Sequence, residues 1–540
     1  MIRPISDAVS ALTMKYGGLL WGEHGKGVRS EYAPAFFGSL YPSLQLIKAA
    51  FDPYNQLNPG KIAVPAGVDS TLLKIDSTTW RGELDREISD AVWEANGDAV
   101  QCNGNGACFN FDPDDSMCPS WKATRQRIHS PKGRASLMRE WLRLQVAAGT
   151  DLIARPRAKR LPVRFLNSLR RGRNKDDFSH EVYEAMSGCL ACKSCVAQCP
   201  VKVNVPEFRS RFLEHYHTRY LRPARDYMIA SLEYTIPRLV SVPGGRQFYN
   251  GVVESRFARL LLKHVVEVVD TPIITRSEAS KSNRCAIATP EILMRMNASE
   301  RKRCVVMVRD TFTSFSGDVE TAFVELADAL GFRVFFAPFH PNGKPLHVLG
   351  FLARFARAAR KNAQTLLDIA NTGVTLVGVD PAMTLTYRQE YSKVLGSENV
   401  PNVLLPQEWL ATAISSSHMP KAARVSFTLL PHCTEKTNAG QATALWKAVF
   451  AAAGLDVAMP STGCCGMSGT YGHEARNVTT STDIFALSWA HQIPESDCPV
   501  SNEESPEVLA TGYSCRCQVK RLRGKTLRHP VQVLADIYRR

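Results

Sequence analysis

Seven of the fifteen cysteines fall in two clusters that each end in Cys-Pro, and their spacing is that of iron–sulfur ligands. The second cluster, Cys189-Leu-Ala-Cys192-Lys-Ser-Cys195-Val-Ala-Gln-Cys199-Pro200, reads C-x2-C-x2-C-x3-C-P without departure. This spacing wraps three thiolates round one face of an iron–sulfur cube and sends the fourth to a neighbouring cluster. A proline after the last cysteine suits a tight exit where no backbone donor is wanted. A zinc site or a disulfide pair competes with this reading, but four cysteines in so short a run favour electron transfer.

The first cluster departs from the pattern. Cys102 and Cys108 flank Asn105, which stands where a third cysteine belongs, and Cys118-Pro119 follows Cys108 after nine residues rather than three. With the fourth thiolates crossed between motifs, Cys118, Cys189, Cys192 and Cys195 make one complete [4Fe–4S] site. Cys102, Cys108 and Cys199 then make a second site one thiolate short. That site holds a three-iron cluster, holds a four-iron cluster with a non-thiolate ligand, or stays empty, in which case Cys118 or Cys199 serves the surviving cluster.

A third constellation lies near the C-terminus. Cys433 follows a strand-like run, Cys464-Cys465-Gly466 comes thirty residues later, and Cys515-Arg-Cys517 follows another strand-like run. Ligand sites of open α/β sheets collect at such strand ends. Neighbouring cysteines pair poorly with each other, so Cys464 and Cys465 read as metal ligands or reactive thiols. Cys285, Cys304 and Cys498 have no such setting and read as structural.

The elements around these residues fall into segments. Residues 1–64 show one amphipathic helix, over Leu40–Phe51, and turn residues around Asn58-Pro59-Gly60; residues 65–100 form a polar linker. Residues 101–225 are helical around the two motifs, with helices over 131–147 and 205–220, and residues 226–300 are a mixed helical connector. From 301 to 540 strand-like runs over 304–308, 333–338, 374–379, 403–405, 425–430 and 507–510 alternate with helices, predicting an open α/β sheet. The expectation is a multidomain α+β chain with a helical ferredoxin-type module and an α/β C-terminal region. No G-x-G-x-x-G follows the first strand, so a Rossmann nucleotide site is unsupported.

At 540 residues the chain is long enough for several cored domains, and 44% hydrophobic and 22% charged residues are ordinary for a globular protein. Fifteen cysteines fit thiolate–metal chemistry in a reducing compartment, with no signal peptide and no membrane-spanning run in view. The expected location is cytoplasmic, or peripheral at the inner membrane face. Nine Lys or Arg between 154 and 175 supply much of the net charge of +15. Few aromatics interleave them, so the run reads as a solvated connector or a docking face for an acidic partner, not as a nucleic-acid site.

The residues together resemble a known family. Gly22-Glu23-His24-Gly25 with Asn58-Pro59-Gly60-Lys61 is similar to the C-terminal end of FAD-linked oxidases of the vanillyl-alcohol oxidase type. The stretch from Arg134 to Tyr220 resembles the iron–sulfur module of glycolate oxidase and glycerol-3-phosphate dehydrogenase electron-transfer subunits. The set Cys433, Cys464, Cys465 and Cys515 resembles the CCG domain shared with heterodisulfide reductases. Their order resembles that of large fused D-2-hydroxyglutarate dehydrogenases of the YdiJ type.

That resemblance implies FAD as cofactor, a small 2-hydroxy acid as substrate, and quinone or an electron carrier as acceptor. It implies Glu23 as a divalent-metal ligand, His24 as the substrate-facing base and Asn58 as a flavin contact. A non-cubane cluster, zinc or another divalent metal at Cys433, Cys464, Cys465 and Cys515 is left open. The family's flavin-binding domain is expected upstream, so the chain reads as the C-terminal half of a longer enzyme, inactive alone and partnered by a flavin-binding half. A separate non-catalytic iron–sulfur subunit and a heterodisulfide-reductase-like thiol protein remain alternatives. Two departures stand out: the final pair is C-x-C rather than C-x2-C, and Arg309-Asp-Thr-Phe carries no cysteine where the domain's first half would.

Overall fold

The computed structural model describes residues 2–20, 23–77, 80, 82–171, 177–275, 277, 285–415, 425–493 and 506–539. Gly22, Arg173, Lys175 and Cys498 lie outside the described residues. The chain divides into two compact units, Met1–Ile88 and Ser89–Arg540.

The first unit holds the expected helix, Tyr41–Phe51, and a second that the sequence pattern does not announce, Ile2–Lys15. Asp52 closes the end of the first: its carboxylate accepts the backbone N–H groups of Gln56 and Leu57 at 2.8 Å and pairs with Lys48 at 2.6 Å. Glu31 ties the N-terminal helix to the later chain, accepting Ile75 N–H at 2.9 Å and pairing with Arg3 at 3.0 Å.

In the second unit, helices Pro131–Ala147, Ser179–Ser187 and Val205–Arg219 surround the two motifs. Ser130 caps the first, accepting Gly133 N–H at 2.9 Å, and Asn204 caps the third, accepting Glu207 N–H at 3.2 Å. A Cβ on Gly133 would lie 2.0 Å from the Arg127 carbonyl, so the chain turns into this helix only with glycine there. Trp141 locks the bundle, donating to Ser179 Oγ at 3.0 Å and meeting Phe212 edge-on at 5.1 Å. The last residues of the predicted linker are helical, Asp90–Ala95 and Gly97–Val100, and the latter packs on Pro131–Ala147.

The C-terminal region is α/β, but with two parallel sheets in place of the single open sheet expected. The first takes the order β2-β1-β3-β4, with β1 Cys304–Val308, β2 Arg333–Phe336, β3 Thr375–Gly378 and β4 Val403–Leu404. The second takes the order β6-β5-β7, with β5 Ser426–Leu430, β6 Asp456–Ala458 and β7 Glu507–Ala510. The sheets stay separate because one apolar core fills the space between them. Val305, Met307 and Val377 from the first sheet and Phe427, Leu429 and Leu509 from the second share it with Trp409 and Trp446. The opposite pleat of the first sheet, Val306, Val308 and Leu376, buries against Phe355, Leu366 and Tyr391, so β1 is covered on both faces. No helix among the described residues is long and apolar enough to cross a membrane.

Candidate functional site

Cys118, Cys189, Cys192 and Cys195 line one small pocket, together with Arg134, Pro131 and Val205. The loop that carries three of them bends through left-handed backbone at non-glycine residues, Ala191 (φ 55°) and Lys193 (φ 61°), and Cys118 itself has φ 41°. Each such residue costs about 1–3 kcal/mol and persists only where the surroundings demand it. The bends turn backbone donors toward sulfur: Ala191 N lies 3.4 Å from Cys189 Sγ. The N–H groups of Trp121, Ser194 and Val205 face Cys118, Cys192 and Cys195 in turn. Burial pushes the Cys118 and Cys192 thiols up to about 12, so thiolates here need a cation among them. Four sulfurs with convergent N–H donors in a dry pocket fit a four-iron cluster.

Arg134 carries no signal in the sequence that singles it out. Its side chain is buried, with Nε donating to Ala185 O at 2.8 Å, one terminal nitrogen donating to Ser120 Oγ at 3.0 Å and the other 3.9 Å from Cys118 Sγ. It is a fixed positive charge beside a sulfur ligand candidate.

Cys102, Cys108 and Cys199 form a second group. Burial raises the Cys108 thiol, and Cys102 and Cys199 are both near enough to add to that effect. Lys132 N lies 3.4 Å from Cys108 Sγ, on the turn that also carries Pro131 into the first pocket. Asn105 serves its own loop: its Oδ1 accepts Ala107 N–H at 2.9 Å and its amide donates to Asn103 Oδ1 at 2.7 Å.

The long spacing between Cys108 and Cys118 has a structural use. Its loop reaches the C-terminal α/β half, where Ser488 donates to Asp114 Oδ1 at 2.6 Å and a Cβ on Gly463 would lie 2.2 Å from Pro113 O. Asp115 accepts from Gln198 at 2.8 Å, binding the same loop to the second motif. A three-residue spacing could not span these partners.

The third group stands at the carboxyl ends of the second sheet. Cys433 follows β5 and opens helix Cys433–Asn438, Cys464 and Cys465 follow β6, and Cys515 follows β7 at the start of helix Tyr513–Arg523. The thiols are neighbours in turn, Cys433 to Cys464, Cys464 to Cys465, Cys465 to Cys515, each raising or lowering the titration of the next. Gly466, with φ 87°, and Gly512 allow this approach. A Cβ on the first would lie 2.2 Å from Ser481 O, and one on the second would lie 2.4 Å from the His432 ring. Lys436, one helical turn past Cys433 and unmarked by any motif, is half-buried near the Cys433, Cys464 and Cys515 thiols and donates to Thr462 Oγ1 at 3.0 Å.

Zinc, left open by the sequence, is not supported. Among the described residues no three His, Cys, Asp or Glu side chains are disposed to hold a single metal ion.

The first and third groups adjoin. Ser468, just past the Cys464–Cys465 turn, donates to Leu190 O at 2.7 Å, and Thr434 Oγ1 lies 3.4 Å from Cys192 O. Leu190, Cys433, Cys464, Tyr471 and Ile484 share one apolar cluster, with Cys192 packed against it. The order in space is therefore Cys102/Cys108/Cys199, then Cys118/Cys189/Cys192/Cys195, then Cys433/Cys464/Cys465/Cys515.

Other cysteines serve packing. Cys304 lies on β1 and donates to Glu300 O at 3.3 Å, and Cys517 faces Tyr513. In the first unit, Glu23 and His24 stand side by side at 3.3 Å with both side chains more than four-fifths exposed (88% and 81%). Asn58 is exposed with φ 48°.

Residues 2–62 match the C-terminal domain of FAD-linked oxidases, and residues 98–203 match the 4Fe–4S dicluster domain. The chain is 55% identical to a D-2-hydroxyglutarate dehydrogenase of Pseudomonas putida, over 100% of this chain and 53% of that protein. It is 48% identical to one of Escherichia coli, over 99% of this chain and 53% of that protein. A weaker likeness, 23% over 199 residues, links 36% of the chain to 48% of a subunit of the anaerobic glycerol-3-phosphate dehydrogenase of E. coli. No solved structure gives a significant match. The chain spans about half the length of the curated dehydrogenases it matches (53%). Against the expectation of a C-terminal half only, the first of these alignments takes in 100% of this chain.

Proposed function

We propose, on the premise that this chain is homologous along its length to D-2-hydroxyglutarate dehydrogenases, that it conducts electrons within an FAD-linked oxidoreductase acting on the CH–OH group of a D-2-hydroxy acid. The observation that carries this reading is the contiguous order of the three cysteine groups.

Iron–sulfur clusters supply one-electron steps, which divide the two electrons released when a hydroxyl carbon becomes a ketone. The chain's own residues do the rest. Cys118, Cys189, Cys192 and Cys195 act as thiolate ligands of a [4Fe–4S] cluster, and Cys102, Cys108 and Cys199 ligate a second, three- or four-iron cluster. Backbone N–H groups of Ala191, Trp121, Ser194 and Val205 stabilise the thiolate charge. Arg134 and Lys436 offset negative charge at the first and third groups. Burial excludes water, which keeps single electrons from side reactions. Cys433, Cys464, Cys465 and Cys515 are assigned to a third centre, next in line after the [4Fe–4S] site.

The substrate assigned is 2-hydroxyglutarate or a close 2-hydroxy acid, with Glu23 and His24 facing it and Asn58 facing FAD. All three are exposed in the first unit. The acceptor belongs to the quinone or carrier-protein class.

Anaerobic reconstitution with iron and sulfide, followed by EPR before and after dithionite reduction, tests the reading. A reduced [4Fe–4S] signal with a second signal from the Cys102/Cys108/Cys199 group is the expected result. Absence of any iron–sulfur signal contradicts it.

A further inference from the structure

Helix Tyr513–Arg523 has the third cysteine group on one side and, on the other, a cavity of about 700 Å3. Ligand pockets commonly measure about 300–1,000 Å3. The walls mix apolar side chains, Leu262, Val268, Ile273, Phe315 and Leu527, with charged ones that include Lys263, Asp270 and Lys520. Tyr513 and Cys517 line it from the same helix that carries Cys515. An α-helix is about 10 Å across, so the cavity lies one helix thickness from the third group.

Two features make this a built site. The segment forming one wall is fixed to the chain beyond the Cys464–Cys465 turn: Val269 N–H donates to His473 O at 2.8 Å and Ala475 N–H donates to Glu267 O at 2.9 Å. Arg521 also lines the cavity and is fixed in place. Its two terminal nitrogens are held by Gly472 O at 2.5 Å and Ser481 Oγ at 3.0 Å. Arg516 and Lys520 line the cavity from the same helix, and such donors suit a carbonyl oxygen on an otherwise apolar ligand.

The helices at the edge, Gly245–Glu254 and Arg256–Leu261, leave Phe248, Phe257, Leu260 and Leu261 exposed, with Phe257 at 76%. Arg256, Arg259, Lys263 and His264 alternate with these side chains. Exposed aromatic and aliphatic groups interleaved with cations are complementary to an anionic bilayer surface.

We propose that this cavity takes a quinone from an anionic bilayer and is where electrons leave the chain. The inference rests on the relay proposed above. Oxidation of the hydroxy acid to the oxo acid releases two electrons and two protons. The quinone accepts two electrons, delivered singly through the third group, and two protons from water, giving the quinol.

The test uses the full reconstituted chain and two probes, decylubiquinone in vesicles and the fluorescent quinol analogue heptylhydroxyquinoline N-oxide. Ile273→Trp fills the cavity from a part-exposed wall position away from every cysteine group. Reoxidation of the dithionite-reduced chain by decylubiquinone is expected to slow at least about tenfold in the variant, the loss that 1.4 kcal/mol of binding represents. Analogue binding is expected to weaken in parallel, with the EPR signals unchanged. Equal reoxidation and equal analogue binding in the two proteins overturn the inference. The chain is expected to sediment with phosphatidylglycerol-containing vesicles and not with pure phosphatidylcholine; failure to bind either overturns the bilayer as the source. If no cluster forms, the relay reading fails while analogue binding still decides the cavity's role.

Discussion

Lys193 Nζ lies 3.1 Å from Glu390 Oε2, and both side chains are almost wholly removed from solvent. Lys193 sits between two cysteines of the second motif, and Glu390 belongs to helix Pro381–Leu395 beneath the first sheet. The pair bolts the cluster loop to the α/β half, with Lys344 3.1 Å from the other carboxylate oxygen.

Acid sensitivity follows. Burial by itself would raise the Glu390 carboxyl, but Lys193 and Lys344 outweigh it and hold it at about 2, below the ordinary glutamate value near 4.3. A depressed folded value contributes stability above the unfolded value, and that contribution is lost as pH falls from about 4.3 toward about 2. Glu390→Gln is expected to flatten the acid limb of a stability–pH curve. At pH 7 it is expected to cost about 3–5 kcal/mol by denaturant unfolding, because a buried lysine loses its partner. An unchanged acid limb contradicts this role.

Gly463→Ala is expected to destabilise by about 1–3 kcal/mol, since the new Cβ meets the Pro113 carbonyl and the backbone must shift. Thermal unfolding of the reconstituted chain reads this. Gly469→Ala gives a comparison, because a Cβ there meets nothing within 4 Å, so that only its left-handed φ of 58° opposes the change.

Lys436→Met removes a half-buried cation from beside the Cys433, Cys464 and Cys515 thiols. Reduction adds negative charge to a centre, so losing the cation disfavours the reduced form. Potentiometric titration is expected to show the third centre's midpoint falling while the [4Fe–4S] midpoint moves less. A rise would contradict the assignment of Lys436 as a charge-compensating residue.

Much of this was legible in the chain because cysteine spacing is a local signal with a rigid geometric meaning. The crossed grouping of Cys118 with Cys189, Cys192 and Cys195 follows from motif periodicity, and the structure brings these four to one pocket. Six strands were visible as short apolar runs. Strand β6, Asp456–Ala458, was not: it is three residues long, starts on an aspartate and is only partly buried. Without it the second sheet merged with the first. Helix Ile2–Lys15 was missed because its buried side is narrow, with Ser6 and Ser10 as its buried residues. The use of the loop before Cys118, and the roles of Arg134 and Lys436, depend on partners far along the chain that no local pattern announces.

The most direct test of the account separates the crossed ligand sets from the sequential ones. Cys118→Ala and Cys199→Ala, reconstituted anaerobically and examined by EPR before and after reduction, read it in one experiment. Crossed sets predict that Cys118→Ala abolishes or converts the [4Fe–4S] signal of the second-motif site, whereas Cys199→Ala leaves it intact and removes the signal of the Cys102/Cys108 site. Loss of the [4Fe–4S] signal in Cys199→Ala, with Cys118→Ala unaffected, would contradict the account.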